Sequence, residues 1–427
     1  MAKAVIERVI GRRRWDSRGR PTVEAEIHLA SGIIGRAMAP AGASTGSGEA
    51  VDRRDGGHAF GGYDVAGVVD LINSAIGPHL RGRDAGDQAA IDAALIELDG
   101  TPDKSRLGGN AMIATSMAAA HAAAAAARLP LWRYLAGERE SRLPLPEIQI
   151  FGGGAHAGRR VDIQDFMVVA IGAGDFAQAL DWTAEIYRAA GNLMADAGLR
   201  QGVADEGGFW PAFDTNEAAL DTLLRAIERA GFRPGEQVAI SLDVAASEFG
   251  KGGRYRLGLE NRELDSDGMI ALLLGWLRRY PIVAIEDPLA EDDAAGFARF
   301  TAQARKVAVV GDDLLVTNAA RLRAAAAQGA CNTALIKPNQ AGTLTETKAA
   351  FDAATAAGWP SIVSARSGET EDVTIVHLAV GWGAPMLKVG AFARSERMAK
   401  WNEGLRIAEA LGGKGPLPPR NIFPWAK

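Results

Sequence analysis

The second half of the chain repeats one pattern, in which an apolar run rich in β-branched residues ends in a charged residue and a helix-like stretch follows. The charged residues lie 43, 26, 25, 29 and 22 positions apart, and four of these gaps approach the roughly 25–30 residues of one strand–helix unit. This spacing predicts an α/β fold. The runs end at Asp243, Glu286, Asp312, Lys337, Arg366 and Lys388.

Two α/β architectures fit this pattern. Eight strand–helix units close into a barrel, whereas a doubly wound open sheet would give similar spacing. The pattern favours the barrel and leaves the open sheet as an alternative. In both cases the carboxyl ends of the strands share one edge, so the charged residues should meet there. The longest gap contains GKGGRYRLGLENRELDSDG, which we interpret as an extended loop.

Composition narrows the class of protein. Hydrophobic residues make up 48% and charged residues 23% of the 427 positions, which is typical of a globular chain and not of a disordered one. The net charge is −5 and no block of Lys or Arg stands out, so we expect neither nucleic acid nor a membrane as partner. The first residues, MAKAVIERVIGRRRW, lack a signal-peptide core, and Cys331 is the only cysteine, so a cytoplasmic protein without an internal disulfide is expected.

The first part of the chain has a different organisation. Residues 3–10 and 21–36 carry β-type patterns separated by DSRGRP, which predicts an antiparallel meander. The Ala-rich stretch 110–128 predicts a helix packed closely against its neighbours. The Pro-rich segment 142–147 marks a break. We therefore predict an α+β domain over residues 1–141 and a β/α barrel over 142–427.

Three of the strand-end residues are acids. Asp243, Glu286 and Asp312 end successive runs, so their carboxylates should converge and repel one another unless a cation lies between them. Oxygen ligands suit Mg²⁺ better than zinc. Alternatively, each acid could be solvated or cap the helix that follows it. Three acids in the same position favour the metal.

The next three strand-end residues are cations. Lys337 and Lys388 face the same rim, and a lysine close to other cations can act as a base when its pKa is lowered. They could also do no more than neutralise the acids. Arg366 and Ser367 offer a forked donor and a hydroxyl suited to a phosphate.

Two Gly-rich segments are further candidates. GASTGSGE at 42–49 could close over a ligand with Ser44 and Thr45, although an ordinary Ser/Thr turn would look the same. ADEGGF at 204–209 places Asp205 and Glu206 before two glycines, which suggests an exposed acid on a tight turn. This acid is a candidate proton donor.

A collinear series of segments, from the first strand to about residue 412, resembles the enolases. Their number and density make the resemblance highly specific. The segments are DSRGRPTVE (16–24), GASTG (42–46), LIELDGT (95–101), GGAHA (153–157), VDIQDFM (161–167), DEGG (205–208), LDVAASEF (242–249), IEDPLAEDD (285–293), VGDDLLVTN (310–318), LIKPNQAGTLTET (335–347), RSGETED (366–372) and ARSERMAKWN (393–402).

The resemblance implies an N-terminal α+β domain and an enolase-type eightfold barrel whose first units depart from simple βα alternation. It also implies two Mg²⁺ ions, with Ser44 as a ligand of the second and three carboxylates as ligands of the first. Lys337 would be the base and Glu206 the acid that assists departure of the C3 hydroxyl. The ligands of the first ion would be Asp243, Glu286 and Asp312.

The same resemblance implies the substrate and the assembly. The reaction would convert 2-phosphoglycerate, a small phosphorylated carboxylate, to phosphoenolpyruvate. The substrate contacts would come from Lys388 at the carboxylate, Arg366 and Ser367 at the phosphate, and Ser44, His156 and Asp165, of which the last two would also take part in catalysis. A homodimer would pair Arg12 and Glu24 with Glu409 and Arg406 of the other subunit.

The chain departs from the enolase pattern beside the substrate. SHRSGETED of the family reads SARSGETED, which replaces a histidine by Ala365, and VDIQEFM reads VDIQDFM, which replaces a glutamate by Asp165. Gly152 and Ala41 replace an Asn and a Ser. Three readings follow: an enolase acting on 2-phosphoglycerate, a paralogue acting on a related phospho- or phosphono-carboxylate like the carboxyphosphonoenolpyruvate synthases of phosphonate biosynthesis, or a non-catalytic binding protein.

Overall fold

The computed structural model describes residues 4–413 and 415–426. Its N-terminal part begins with an antiparallel sheet in the order β1-β2-β3, which confirms the predicted meander. The tight turn after β1 uses Gly19 at φ +70°, a conformation that a glycine adopts without strain. The strands are β1 (Ile6–Trp15), β2 (Pro21–Leu29) and β3 (Ile34–Met38).

Helices cover one face of this sheet. The Ala-rich helix extends from Gly109 to Ala126 and is buried along most of its length. Its small side chains allow close contact, and a Cβ at Gly35 of β3 would collide with the backbone of Ala122. The prediction of a closely packed helix is confirmed. The helices of this part are α1 (Ala66–Leu71), α2 (Gly77–Leu80), α3 (Gln88–Asp99), α4 (Gly109–Ala126) and α5 (Leu131–Ala136).

The strands that follow form a closed barrel and one small antiparallel sheet. The proposed domain boundary at 141/142 falls between α5 and the first of these strands. The strands are β4 (Leu145–Gly152), β5 (Asp165–Val169), β6 (Ala239–Asp243), β7 (Gly250–Lys251), β8 (Arg254–Leu257), β9 (Arg262–Asp265), β10 (Ile282–Glu286), β11 (Ala308–Gly311), β12 (Thr333–Ile336), β13 (Ser361–Ser364) and β14 (Met386–Ala391).

The barrel order is β10-β11-β12-β13-β14-β4-β5-β6, and β6 pairs with β10 to close it. Closure confirms the barrel over the open sheet. β5 is antiparallel to both β4 and β6, whereas the other pairs are parallel, so the first units depart from βα alternation as the resemblance implies. The segment interpreted as an extended loop instead contains the small sheet β7–β9.

Helices surround the barrel, and several begin at a side-chain cap such as Asp175, Thr215, Asp265 or Thr343, whose oxygen accepts a backbone N–H of the first turn. These helices are α6 (Phe176–Asp196), α7 (Asn216–Arg229), α8 (Ser266–Arg279), α9 (Ala294–Gln303), α10 (Ala319–Gln328), α11 (Pro338–Ala341), α12 (Leu344–Ala356), α13 (Thr374–Trp382) and α14 (Ser395–Ala410).

Apolar side chains fill the amino-terminal end of the barrel. Leu145, Val169 and Leu335 point into a buried cluster there, and Phe423 from the C-terminal segment packs against it at 3% exposure. Trp425 stacks on Phe423 with ring centroids 4.6 Å apart. Because this end of the barrel is filled with apolar side chains, the opposite, carboxyl-terminal rim is the place for a polar site. Across the part of the chain that the structure describes, no helix combines the length and apolarity needed to cross a bilayer.

Candidate active site

Three buried carboxylates lie together at the carboxyl-terminal rim of the barrel. Asp243 is the last residue of β6, Glu286 is the last of β10, and Asp312 directly follows β11. The register of β6 and β10 sets Asp243 opposite Glu286, and β10 pairs in turn with β11. None of the three is more than 6% exposed. Parallel pairing of neighbouring strands therefore brings these acids to one edge.

The ammonium group of Lys388 bridges two of these acids. Its Nζ donates to Asp243 Oδ2 at 2.8 Å and to Glu286 Oε2 at 2.7 Å. Burial alone would lower the pKa of Lys388, but the charges of Asp243 and Glu286 outweigh it and hold the pKa well above its ordinary value. Lys388 is thus a permanent cation in the acidic rim. The sequence pattern predicted that Lys388 ends its strand. Instead β14 continues to Ala391, so Lys388 lies within the strand.

Lys337 directly follows β12 and pairs with Asp312 Oδ2, while Gln340 Nε2 donates to Asp312 Oδ1 at 2.9 Å. Burial lowers the pKa of Lys337, but Asp312 outweighs burial and the net shift is upward. The sequence predicted a lowered pKa for a base. The difference arises because the carboxylate stabilises the ammonium form. If Asp312 were engaged by a cation, the pKa of Lys337 would fall and its ammonium group would lose a proton more readily.

The acidic rim contains buried oxygens without donors. Glu286 Oε1 and Gln164 Oε1 have no hydrogen-bond partner among the described residues, and Gln164 Nε2 donates to Asp243 Oδ2 at 3.2 Å. Burial, followed by the charge of Asp243, raises the pKa of Glu286 well above its ordinary value. A hard divalent cation would supply the missing charge and accept oxygen ligands. The cluster is therefore compatible with divalent metal binding.

Asp312 also belongs to a tighter acidic set with Asp287 and Asp313, in which one oxygen of each lies within 4.8 Å of the others. Asp287 accepts the backbone N–H groups of Asp312 and Asp313 at 3.0 and 2.9 Å. It therefore fixes the turn after β11 that presents Asp312. Among the described residues, Asp243, Glu286 and Asp312 do not form such a set, and Lys388 Nζ lies between Asp243 and Glu286.

The predicted acid side of the site forms a second cluster, of His156, Asp165 and Glu206. His156 Nδ1 lies 3.1 Å from Asp165 Oδ1, and its Nε2 lies 3.8 Å from Glu206 Oε1. Burial opposes a charge on His156, but Glu206 and Asp165 outweigh it and raise the pKa to about 9. Burial would raise the pKa of Asp165, but His156 and Lys388 outweigh it and lower that pKa. The imidazole is thus a buried cation at neutral pH.

Glu206 is buried, whereas the ADEGGF pattern suggested an exposed acid. It is 6% exposed, and its neighbour Asp205 is only partly accessible. The turn packs beneath the segment after β14, where a Cβ at Gly207 would lie 2.7 Å from Ala393 O. Arg397 Nη1 lies 3.9 Å from Glu206 Oε1. Glu206 therefore sits inside the charged cluster.

Arg366 follows β13 and lies against the Gly-rich segment 42–49. Its Nη1 donates to Glu49 Oε2 at 2.9 Å and to Asn339 Oδ1 at 3.1 Å. Its Nη2 donates to Ser44 O at 3.0 Å and to Glu49 Oε1 at 3.2 Å. The structure thus brings the predicted loop to the predicted anion clamp. Ser44 contacts the clamp through its backbone carbonyl.

Ser367 is held between the two parts of the chain. Arg18 Nη1 lies at a hydrogen-bonding distance of 3.5 Å from Ser367 Oγ, and Arg18 Nη2 donates to Ala41 O at 2.9 Å. The buried Arg397 donates to the carbonyls of Arg366 and Ser367 at 2.7 and 2.6 Å. These contacts fix the backbone on which the clamp depends.

The departures from the enolase pattern have local explanations in two cases. Ala365 is buried and its N–H donates to Lys388 O at 2.9 Å, and nothing in the structure explains the loss of the histidine side chain there. A Cβ at Gly152 would lie 2.6 Å from Ala204 Cβ, so this site has no room for the side chain that the family carries. Ala41 pairs with Gly368 through backbone hydrogen bonds that do not depend on its side chain.

Sequence reasoning missed several site residues. Gln149, Gln164 and Gln340 each contact a predicted site carboxylate, and Glu49 pairs with Arg366. Reasoning from charge overlooks neutral amides. Their positions inside VDIQDFM and LIKPNQ, next to predicted site residues, are the signal that would have identified two of them.

Two family models match the chain. The model described as "Enolase, N-terminal domain" matches residues 6–135, and the model described as "Enolase, C-terminal TIM barrel domain" matches residues 140–423. Together they span both parts of the fold, including every candidate site residue discussed above. The chain belongs to the enolase family.

Proposed function

We propose that this enolase-like enzyme dehydrates 2-phosphoglycerate to phosphoenolpyruvate. The observation that carries the proposal is the alternation of charges on one rim, where Lys337 and Lys388 contact the carboxylates of Asp312, Asp243 and Glu286. A base and a fixed cation next to a metal-compatible cluster suit removal of a weakly acidic proton beside a carboxylate.

Two Mg²⁺ ions are part of the proposal. Asp243, Glu286 and Asp312 would hold the first, and Ser44 would contribute to the second. When bound, these ions supply the positive charge that stabilises the second negative charge developing on the substrate carboxylate. The unpartnered Glu286 Oε1 is the observation that supports such an ion.

The chain's own residues have distinct proposed roles. Lys337 Nζ takes the proton from C2, and Lys388 holds the carboxylate. Glu206, on the opposite side, gives a proton to the departing C3 hydroxyl. The buried His156–Asp165 pair lies beside Glu206 and sets the charge around it.

The phosphate end of the substrate has its own proposed contacts. Arg366 and Ser367 hold the phosphate, and the loop that carries Ser44 covers it. The site residues are buried, so a substrate bound among them would displace water from the reacting carbon. Exclusion of water strengthens each of these electrostatic contacts.

A second candidate function is favoured by Ala365 and Asp165. The methyl group of Ala365 makes no polar contact with a substrate, and Asp165 is already engaged by His156 and Gln149. Both changes concern the leaving-group side, whereas base and clamp keep the family residues. A related phospho- or phosphono-carboxylate, as in carboxyphosphonoenolpyruvate synthases, is therefore the alternative substrate class.

The experiment that tests the main proposal incubates the purified protein with Mg²⁺ and 2-phosphoglycerate and follows the enolpyruvate chromophore. The expected result is sustained turnover that is lost in Lys337→Ala. If the wild-type protein exchanges the C2 proton but forms no chromophore, the alternative substrate class replaces this proposal.

A further inference from the structure

The proposed function leaves one buried charge in the clamp unexplained. Glu49 has a side chain only 9% exposed and pairs with Arg366, whose side chain is 3% exposed. Burial opposes the charge on Arg366, but Glu49 outweighs it and raises the pKa of the guanidinium. A carboxylate placed on a phosphate-binding arginine would be expected to compete with the phosphate. Its contacts point to a different role.

The carboxylate of Glu49 binds one edge of the guanidinium. It takes one N–H from Nη1 and one from Nη2, while Asn339 and Ser44 O take the second N–H of each. Nε is the one guanidinium nitrogen of Arg366 for which the described residues supply no acceptor. Four contacts from three residues in two parts of the chain therefore fix the guanidinium plane and leave the Nε edge for a ligand.

Glu49 is itself fixed by further donors. Its Oε1 accepts Gly46 N at 3.0 Å and Gln340 Nε2 at 3.2 Å. Gln340 also donates to Asp312, so a continuous hydrogen-bond network runs from the metal-compatible rim through Gln340 and Glu49 to Arg366. A carboxylate that the substrate phosphate displaces from Arg366 would be expected to make few such contacts. This arrangement is typical of a rigid support.

The loop that bears Glu49 is shaped to the clamp. A Cβ at Gly42 would collide with Arg366 Nη2, so only glycine allows the loop to lie this close. The loop is tethered separately at Ser47, whose N–H and hydroxyl bond to Glu291 at 2.8 and 2.9 Å. The Glu291 contact thus holds the loop without involving Arg366.

We infer that Glu49 is a positioning residue that holds Arg366 with its Nε edge toward the substrate phosphate and links this clamp to the rim through Gln340. The inference rests on the proposed role of Arg366 in the proposed function. It predicts that a negative charge beside the anion site strengthens anion binding, which is opposite to the effect of simple charge repulsion.

The sign of the change in anion affinity tests this inference. Glu49→Gln keeps the side-chain shape but turns an amide N–H₂ toward the guanidinium, which breaks one of the two paired bonds. Titration calorimetry with inorganic phosphate in the presence of Mg²⁺ should show a dissociation constant raised by about tenfold. With 2-phosphoglycerate, KM should rise by a similar factor while the rate constant for C2 exchange at saturation stays within about threefold.

Glu291→Ala is the control, because it removes the acceptor of both Ser47 bonds without touching Arg366. It should change phosphate affinity by less than about twofold, a change expected of a surface contact. Equal or tighter phosphate binding by Glu49→Gln overturns the inference, as does an equal effect of both variants. If wild-type and Arg366→Gln proteins bind phosphate alike, the clamp assignment fails, and the inference fails with it.

Discussion

The imidazole of His156 and the carboxylate of Asp165 form a buried ion pair, with 3.1 Å between Nδ1 and Oδ1. Neither side chain is more than 5% exposed. The pair stands beside Glu206, the proposed proton donor, so it sets the charge next to that residue. Because its two members have pKa values shifted in opposite directions, it also links stability to pH.

We expect the metal-free chain to lose stability as pH rises from 6.5 through 9. The pKa of His156 is raised to about 9, so its stabilising contribution is complete below the ordinary value near 6.5 and disappears above the folded-state value. Urea unfolding in EDTA should show a loss on the order of 2 kcal/mol across this range, and His156→Gln should not show it. His58→Gln, an exposed control, should behave as wild type. Identical pH profiles for all three proteins would refute the charged pair.

Alanine variants of Asp243, Glu286 and Asp312 should bind Mg²⁺ at least about tenfold more weakly, because each loses a ligand of a buried cation. The measurement is Mg²⁺ titration by calorimetry. Asp181→Ala, which changes an exposed acid of α6, is the control and should bind as wild type. Unchanged affinity in any two of the three site variants would rule out this ligand set.

Lys337→Ala should slow exchange of the substrate C2 proton with solvent deuterium by at least about a hundredfold, since a general base contributes about that factor or more. Exchange isolates proton removal from loss of the hydroxyl, and NMR of 2-phosphoglycerate in D₂O follows it directly. Lys348→Ala is the matched control, because this lysine lies on the exposed side of α12. Exchange at the parent rate in Lys337→Ala would assign the base to another residue.

Restoring the family residues distinguishes the two substrate classes. If the chain dehydrates 2-phosphoglycerate, Ala365→His with Asp165→Glu should leave elimination similar or lower, since the present residues already serve it. If it acts on the alternative class, the double variant should raise elimination of 2-phosphoglycerate by at least about tenfold, a little over 1.4 kcal/mol. Each single reversion must also be measured, because the two positions share neighbours and need not be additive.

Thermal unfolding must accompany this comparison. Asp165 is fully buried between Gln149 and His156, so an added methylene can cost about 1–3 kcal/mol in overpacking. If a variant loses activity and its Tm also falls, the lost activity is attributed to disturbed packing and not to a change in the catalytic step. Matched, rapid exchange and elimination in the wild-type protein would exclude the alternative class.

We expect a homodimer in which Arg12 and Glu24 meet Glu409 and Arg406 of the second subunit. In the single chain Arg12 pairs with Glu26 at 2.9 Å and Arg406 with Glu403 at 2.9 Å, so each already has a partner before assembly. Such charges set register more than affinity. Sedimentation at micromolar concentration should show a dimer that Arg406→Glu weakens. A monomeric wild-type protein would contradict this arrangement.

Much of the fold was predictable from the charged residues that end the apolar runs. The positions of Asp243, Glu286 and Lys337 at the ends of parallel strands were predictable, because apolar runs and their spacing report directly on strand–helix units. The antiparallel β5 was not predictable from spacing. Two long helices, α6 and α7, separate it from β6, so the periodic pattern begins only after it.

The site residues that their charge identifies were predictable from the sequence. The features that depend on packing between distant segments were not. Glu206 was expected to be exposed because local sequence cannot show that the segment after β14 covers its turn. Gln340 and Glu49 went unassigned because their roles depend on contacts between distant parts of the chain. The upward pKa shift of Lys337 likewise depends on Asp312, a neighbour in space and not in sequence.

The barrel also contains a seam between β14 and β4, where Met386 pairs with Leu145, 241 positions earlier in the chain. During synthesis this seam cannot form until β14 has left the ribosome, whereas β1, β2 and β3 pair with immediate neighbours in sequence. Non-local pairing of this kind is slow and comes late. A ribosome-bound chain stalled near residue 380 should therefore resist protease over its first three strands and be cleaved readily between residues 145 and 380. Equal resistance of both regions would show that the barrel strands gain order before their seam exists.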